Sequence, residues 1–186
     1  MSEYYFSLSS TPDTFFPWKP VWHSKIPPRV AFFSWIAALG KILTLENLWY
    51  KGVAVVDWCY MCKKSGESMN NLLLHCPIAY ELWSMVWTLF GLLWVMPQSV
   101  IDLLSSWQGS FSGHRSIDLW RVVPHCVLCC IWRERNSRCF EGKEQSISEL
   151  FFFFFYNYLF LNLNLSFSTP CWSGVRPLIF FLVLNF

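Results

Sequence analysis

Apolar residues recur at three- and four-residue steps through Val30, Phe33, Ile36 and Ala37, which predicts a helix with one buried face that stops at Gly40. Thr44 then reads as an N-cap, with Asn47 where a capping box would place Glu or Gln, ahead of a short helix through Leu45, Leu48 and Trp49 that ends at Gly52. Pro77 suits the first turn of a third helix through Tyr80, Leu82, Trp83, Val86, Trp87 and Phe90. Its continuation to Met96 is apolar nearly all round, which predicts a buried helix. A short helix follows near Ile101 to Trp107, then a Gly/Ser loop, then a long helix from Leu119 to Phe140, started or kinked at Pro124. The fold class is therefore all-α (mainly helical), with an irregular cysteine-containing, zinc-knuckle-like loop over residues 53–76.

The ends of the chain read differently from its middle. Residues 1–28 are rich in Ser, Thr and Pro and bias toward extended structure, so no core is expected there. Residues 151–186 hold 10 of the 18 Phe and one formal charge, Arg176, which predicts a low-complexity, poorly packed C-terminal tail rather than a domain. The expected organisation is a flexible N-terminus over 1–14, one domain over 15–142 and the Phe-rich tail over 151–186. The stretch from Leu150 to Gly174 lacks formal charge and is the one candidate for membrane association, weakened by three Asn and by Pro170.

Composition narrows the function classes. Hydrophobic residues make up 54% and charged residues 14%, against about 25% charged in an average soluble protein. The net charge of +2 is too small to argue alone for nucleic acid, so any phosphate contact must be local. The start of the chain lacks the basic and apolar regions of a signal peptide, which points to an intracellular protein of the nucleus or cytoplasm. The eight cysteines are then expected to be free or metal-bound. No enzyme is expected: the Asp residues at 13, 57, 102 and 118 form no adjacent pair for two-metal chemistry, and no phosphate-binding Gly-rich loop occurs.

Cys59-Tyr60-Met61-Cys62 is a C-x2-C knuckle, and Cys76 follows fourteen residues later beside His75. Zinc takes four sulfur or nitrogen ligands in a tetrahedron, and such a knuckle supplies two thiolates from one tight turn. His75 is the candidate fourth ligand, or alternatively a surface histidine beside a buried cysteine. His125, Cys126, Cys129 and Cys130 also meet at helical spacing, but core packing accounts for them on so apolar a helix. Arg133, Arg135 and Arg138, with Trp132 beside them, form a candidate phosphate-binding patch, or else a solvated helix end.

The runs FFPWKPVWHSKIPPRVAFFSWIAALGKILTLENLWYKG, DWCYMCKKSGESMNNLLLHCPIAYELWSMVW and LWRVVPHCVLCCIWRERNSRCFEG, in that order, resemble the zinc-binding domain that follows the reverse transcriptase in plant LINE-type (non-LTR) retrotransposons. The resemblance spans about residues 15–142. It implies a zinc-binding module without polymerase chemistry that assists the parent polymerase in holding RNA or DNA template. It also implies a ligand quartet at Cys59, Cys62, position 71 and Cys76, and this chain has Asn71 where the family has His. An amide oxygen is a poor zinc ligand beside thiolates, so zinc binding is expected to be weakened unless His75 takes over. The alternative is a decayed relic that acts only as a structural or protein-interaction domain, membrane-associated through its tail.

Overall fold

Pro28 sits in the first turn of α1 (Pro28–Ala38), where its missing N–H removes no helical hydrogen bond. The face predicted from the periodicity is the buried one: Val30, Phe33, Ile36 and Ala37 all lie in the core. Thr44 caps α2 (Leu45–Tyr50), its hydroxyl accepting from Asn47 N at 3.4 Å. Asn47 replaces the expected acidic or amide reach-back with a different bond. Its side-chain nitrogen donates to Gly40 O at 2.8 Å and Ile42 O at 2.6 Å, tying the end of α1 to the start of α2.

These elements come from a computed structural model, which describes residues 21–22, 26–53, 58–64, 66–93, 95–107 and 117–162. Four further helices follow: α3 (Pro77–Leu89), α4 (Val100–Ser106), α5 (Ile117–Asn136) and α6 (Ile147–Asn162). Two single π-helical turns, Asn71–His75 and Ser137–Glu141, precede α3 and follow α5. Among the described residues the fold is helical with no strand. Helix α5 is the axis, packed by α1, α6 and the first π-turn. Ser34 and His125, both fully buried, join α1 to α5 through a 2.8 Å hydrogen bond.

Tryptophans fill the space between α3, α4 and α5. Trp107 and Trp120 stack with ring centroids 4.2 Å apart, and each indole N–H donates to the other residue's carbonyl, at 2.8 and 3.2 Å. Trp83 donates to Leu73 O at 3.0 Å, linking α3 back to the first π-turn. Trp83, Trp107 and Trp120 thus each bury an apolar body and satisfy their one donor.

Several sequence expectations change. Helix α3 stops at Leu89 rather than running to Met96: Gly91 is left-handed (φ 64°), and Gly91 N and Leu92 N bond back to Thr88 O and Trp87 O. Leu93 and Val95 are consequently exposed, not buried. Val21 and Ile26 lie in the core, although no core was expected before residue 29. The long helix starts at Ile117, continues through Pro124, and yields to the π-turn at Ser137 rather than reaching Phe140 as one α-helix.

The largest change concerns the compositional break at Phe151, which falls inside a helix. Ser146 caps α6, and Glu149 accepts from both Ser146 N (2.7 Å) and Ser146 Oγ (2.8 Å). Leu150, Phe154 and Tyr158 bury one face of α6 against α5 and α3. Burial of side chains this large contributes about 1.5–3 kcal/mol each, so the packed unit extends past residue 142 into the Phe-rich stretch. No described helix is long and apolar enough to cross a membrane. The expected flexible N-terminus (1–14), the Gly/Ser segment 108–116 and the remainder of the tail (163–186) lie outside the described residues.

Candidate metal centre

Cys59 and Cys62 are brought together by one tight turn, closed by a 2.7 Å bond from Lys63 N to Cys59 O. Lys63 takes a left-handed conformation (φ 59°), uncommon for a residue with a Cβ, as the chain reverses there. Cys76 arrives from the other side. The bond from Cys76 N to Asn71 O, 2.6 Å, closes an i→i+5 turn and sets residues 71 and 76 one turn apart. In an α-helix, residues five apart diverge; the wider π-turn stacks them, and such turns recur at functional sites.

The Sγ atoms of Cys59, Cys62 and Cys76 all lie within 4.8 Å of one another. Cys59 and Cys76 are buried, with their sulfurs 3.9 Å apart, while Cys62 is half-buried. Zinc–sulfur bonds of ~2.3 Å at tetrahedral angles place sulfurs about 3.8 Å apart, so this pair already has the separation of two zinc thiolates. Cys59 donates to Cys76. That bond, reinforced by burial, pushes the Cys59 thiol well up, and the same bond holds Cys76 below the usual thiol value against the opposing effect of burial.

Glu67 holds the cysteine loop from within. Its carboxylate accepts from Leu45 N (3.2 Å) at the start of α2 and from Tyr60 N (3.1 Å) inside the knuckle. It also takes two bonds from the Arg135 guanidinium, at 2.6 and 3.0 Å. Both side chains are almost completely buried, at 0% and 3% exposure. Arg138 reaches the same loop, donating to Met61 O at 2.7 Å while pairing with Glu134 at 2.7 Å.

Of Arg133, Arg135 and Arg138, the candidate phosphate-binding patch, these bonds engage the last two inside the protein. Arg135 and Arg138 are engaged internally by carboxylates and carbonyls, so a nucleic acid would have to displace buried ion pairs to reach them. Arg133 keeps partial exposure, but its guanidinium lies over the Phe153 ring at 3.9 Å. His75, offered as a fourth ligand, is exposed and outside the thiol cluster; its Nε2 is 3.1 Å from Gln98 O. Asn71 lies on the π-turn below Cys76, with its side-chain nitrogen donating to Gly66 O at 2.7 Å. Cys126, Cys129 and Cys130 are buried in the core on α5, as the packing reading had it.

Sequence reasoning missed Glu67, which read only as part of a polar spacer. A signal existed on its partner: Leu128, Ile131, Arg135 and Arg138 fall at helical spacing on one face of the long helix. A charge on an otherwise apolar stripe calls for a buried partner.

Residues 1–83 match the family described as zinc-binding in reverse transcriptase. This confirms the resemblance over the first motif run and over the second as far as Trp83, and the matched segment includes all three clustered cysteines. A putative ribonuclease H protein of Arabidopsis thaliana is 24% identical over 120 residues, which is 64% of this chain and 19% of that protein. The chain thus spans about a fifth of its relative's length. No solved structure matches it.

Proposed function

We propose that this chain, whose first 83 residues match the family described as zinc-binding in reverse transcriptase, is a retrotransposon-derived metal-binding module without catalytic activity of its own. The observation that carries the reading is the convergence of Cys59, Cys62 and Cys76 within that matched segment. Three thiols delivered by a knuckle and a π-turn fit a zinc-type ion, and metal binding at such a site contributes directly to folding the loop around it. The fourth position, which the family resemblance assigns to His, falls to Asn71. Zinc bound here would be held by three thiolates and by weak or solvent donors, and would act structurally, fixing the loop against α5.

In the parent element the module assists the polymerase in holding nucleic acid. With Arg135 and Arg138 engaged internally, the contact on this chain shifts to the end of α2. Trp49 and Tyr50 are exposed there, at 66% and 71%, and Lys51 follows them. Exposed rings beside a cation suit single-stranded bases and their phosphates.

Metal analysis of the purified full chain tests the reading. It should carry substoichiometric zinc that is lost in Cys62→Ser and in Cys76→Ser while the helical signal persists. Zinc retained in both variants overturns the assignment.

A further inference from the structure

We infer that the Cys59–Cys62–Cys76 cluster is a site for a three-coordinate thiophilic ion, specifically trivalent arsenic in the form of arsenite. The inference rests on the proposed reading that these three thiols converge as one ligand set, and it concerns which ion completes that set.

Among the described residues no His, Cys, Asp or Glu joins the three sulfurs. His75 is held at Gln98 O, and the side-chain nitrogen of Asn71 at Gly66 O. A tetrahedral ion therefore meets three strong ligands and one weak one. Trivalent arsenic asks for three sulfurs in a pyramid, and its lone pair occupies the fourth direction.

Charge favours the same ion. Three thiolates around a divalent ion leave one negative charge in a site where Cys59 and Cys76 are fully buried. A buried charge is costly unless paired. Of the cations at the loop, Arg135 pairs with Glu67, Arg138 with Glu134 and Lys63 with Glu144, while Lys64 is exposed to solvent. Three thiolates around a trivalent ion are neutral. Half-buried Cys62 gives the entry path.

The chemistry balances without an oxidant. Arsenous acid, As(OH)3, exchanges three As–O bonds for three As–S bonds, each thiol proton leaves with a hydroxide as water, and arsenic and sulfur keep their oxidation states.

Titration of the full chain with sodium arsenite in a phosphine reductant, followed by intact-mass spectrometry, should show one bound arsenic with the loss of three hydrogens. X-ray absorption at the arsenic edge should count three sulfur neighbours. Cys62→Ser should weaken binding on the order of tenfold or more, whereas Cys126→Ser should leave it unchanged. Asn71→His, which offers zinc a fourth strong ligand, should raise the arsenite needed to displace zinc by on the order of tenfold. Two sulfur neighbours, or arsenite binding that survives Cys62→Ser but not Cys126→Ser, overturns the inference. Should Cys62→Ser fail to fold, the sulfur count and the Cys126→Ser result decide it on folded protein. Zinc binding without arsenite binding overturns this inference alone, and arsenite binding without zinc binding overturns only the zinc reading.

Discussion

Glu67 and Arg135, 68 residues apart in sequence, form a buried ion pair with a 2.6 Å contact that fastens the cysteine loop to α5. Breaking it from one side leaves a buried charge uncompensated. Arg135→Met should therefore cost about 3–5 kcal/mol of unfolding free energy. Combining it with Glu67→Gln should recover part of that loss, because the stranded carboxylate is removed. Urea denaturation of the single and double variants measures both, and additive losses would count against direct coupling.

Helix α6 should belong to the cooperative unit. Phe154 is fully buried against the core, so Phe154→Ala should destabilise the whole fold by about 3–5 kcal/mol. Truncation after residue 146 should have a comparable or larger effect. Limited proteolysis that removes residues 147–162 and leaves a protein of unchanged melting temperature would refute this.

The cap of α6 carries an acid-sensitive term. Bonds from Ser146 N and Ser146 Oγ hold the Glu149 carboxyl below its ordinary value. A carboxylate with a lowered folded value stabilises the fold above its unfolded value, and that contribution is lost as pH falls through the folded one. Glu149→Gln should lower the melting temperature at neutral pH, where the stabilising carboxylate is removed, and converge with the parent chain as pH falls through the folded carboxyl value, which flattens the acidic dependence. An acidic slope identical to that of the parent chain would contradict it.

Nucleic-acid contact is predicted at the end of α2, not on α5. Trp49→Ala with Lys51→Ala should weaken binding to a single-stranded oligonucleotide by about 1–3 kcal/mol without lowering the melting temperature much. Arg135→Met should lower stability and leave the salt dependence of any binding unchanged at temperatures where it remains folded. Fluorescence anisotropy across a salt series separates the two.

What the sequence disclosed was local. The Thr44 cap, Pro77 at a helix start and the C-x2-C knuckle are each set by neighbours within a few residues, and each stands where the pattern placed it. Glu67 was hidden because its partner lies on a distant helix, and burial of a carboxylate leaves no mark on its own segment. The arginines are ambiguous for the same reason: a charged run at a helix end looks identical whether it faces water or a carboxylate. Composition misled at Phe151, where five successive Phe obscured the Ser146-x-x-Glu149 capping signal just ahead of them. The π-turn at Asn71–His75 sets residues 71 and 76 one turn apart, and hydrophobic periodicity at the α-helical value could not reveal it.

Position 71, and not His75, is proposed as the missing corner of the metal site. Competition with a chromophoric chelator at fixed pH measures it directly, with pH held because thiol ligands release protons on binding zinc. Asn71→His should tighten zinc binding by more than on the order of tenfold, the factor that even an outer-shell partner contributes, and His75→Ala should change it little. Unchanged affinity in Asn71→His together with loss of binding in His75→Ala would instead make His75 the fourth ligand.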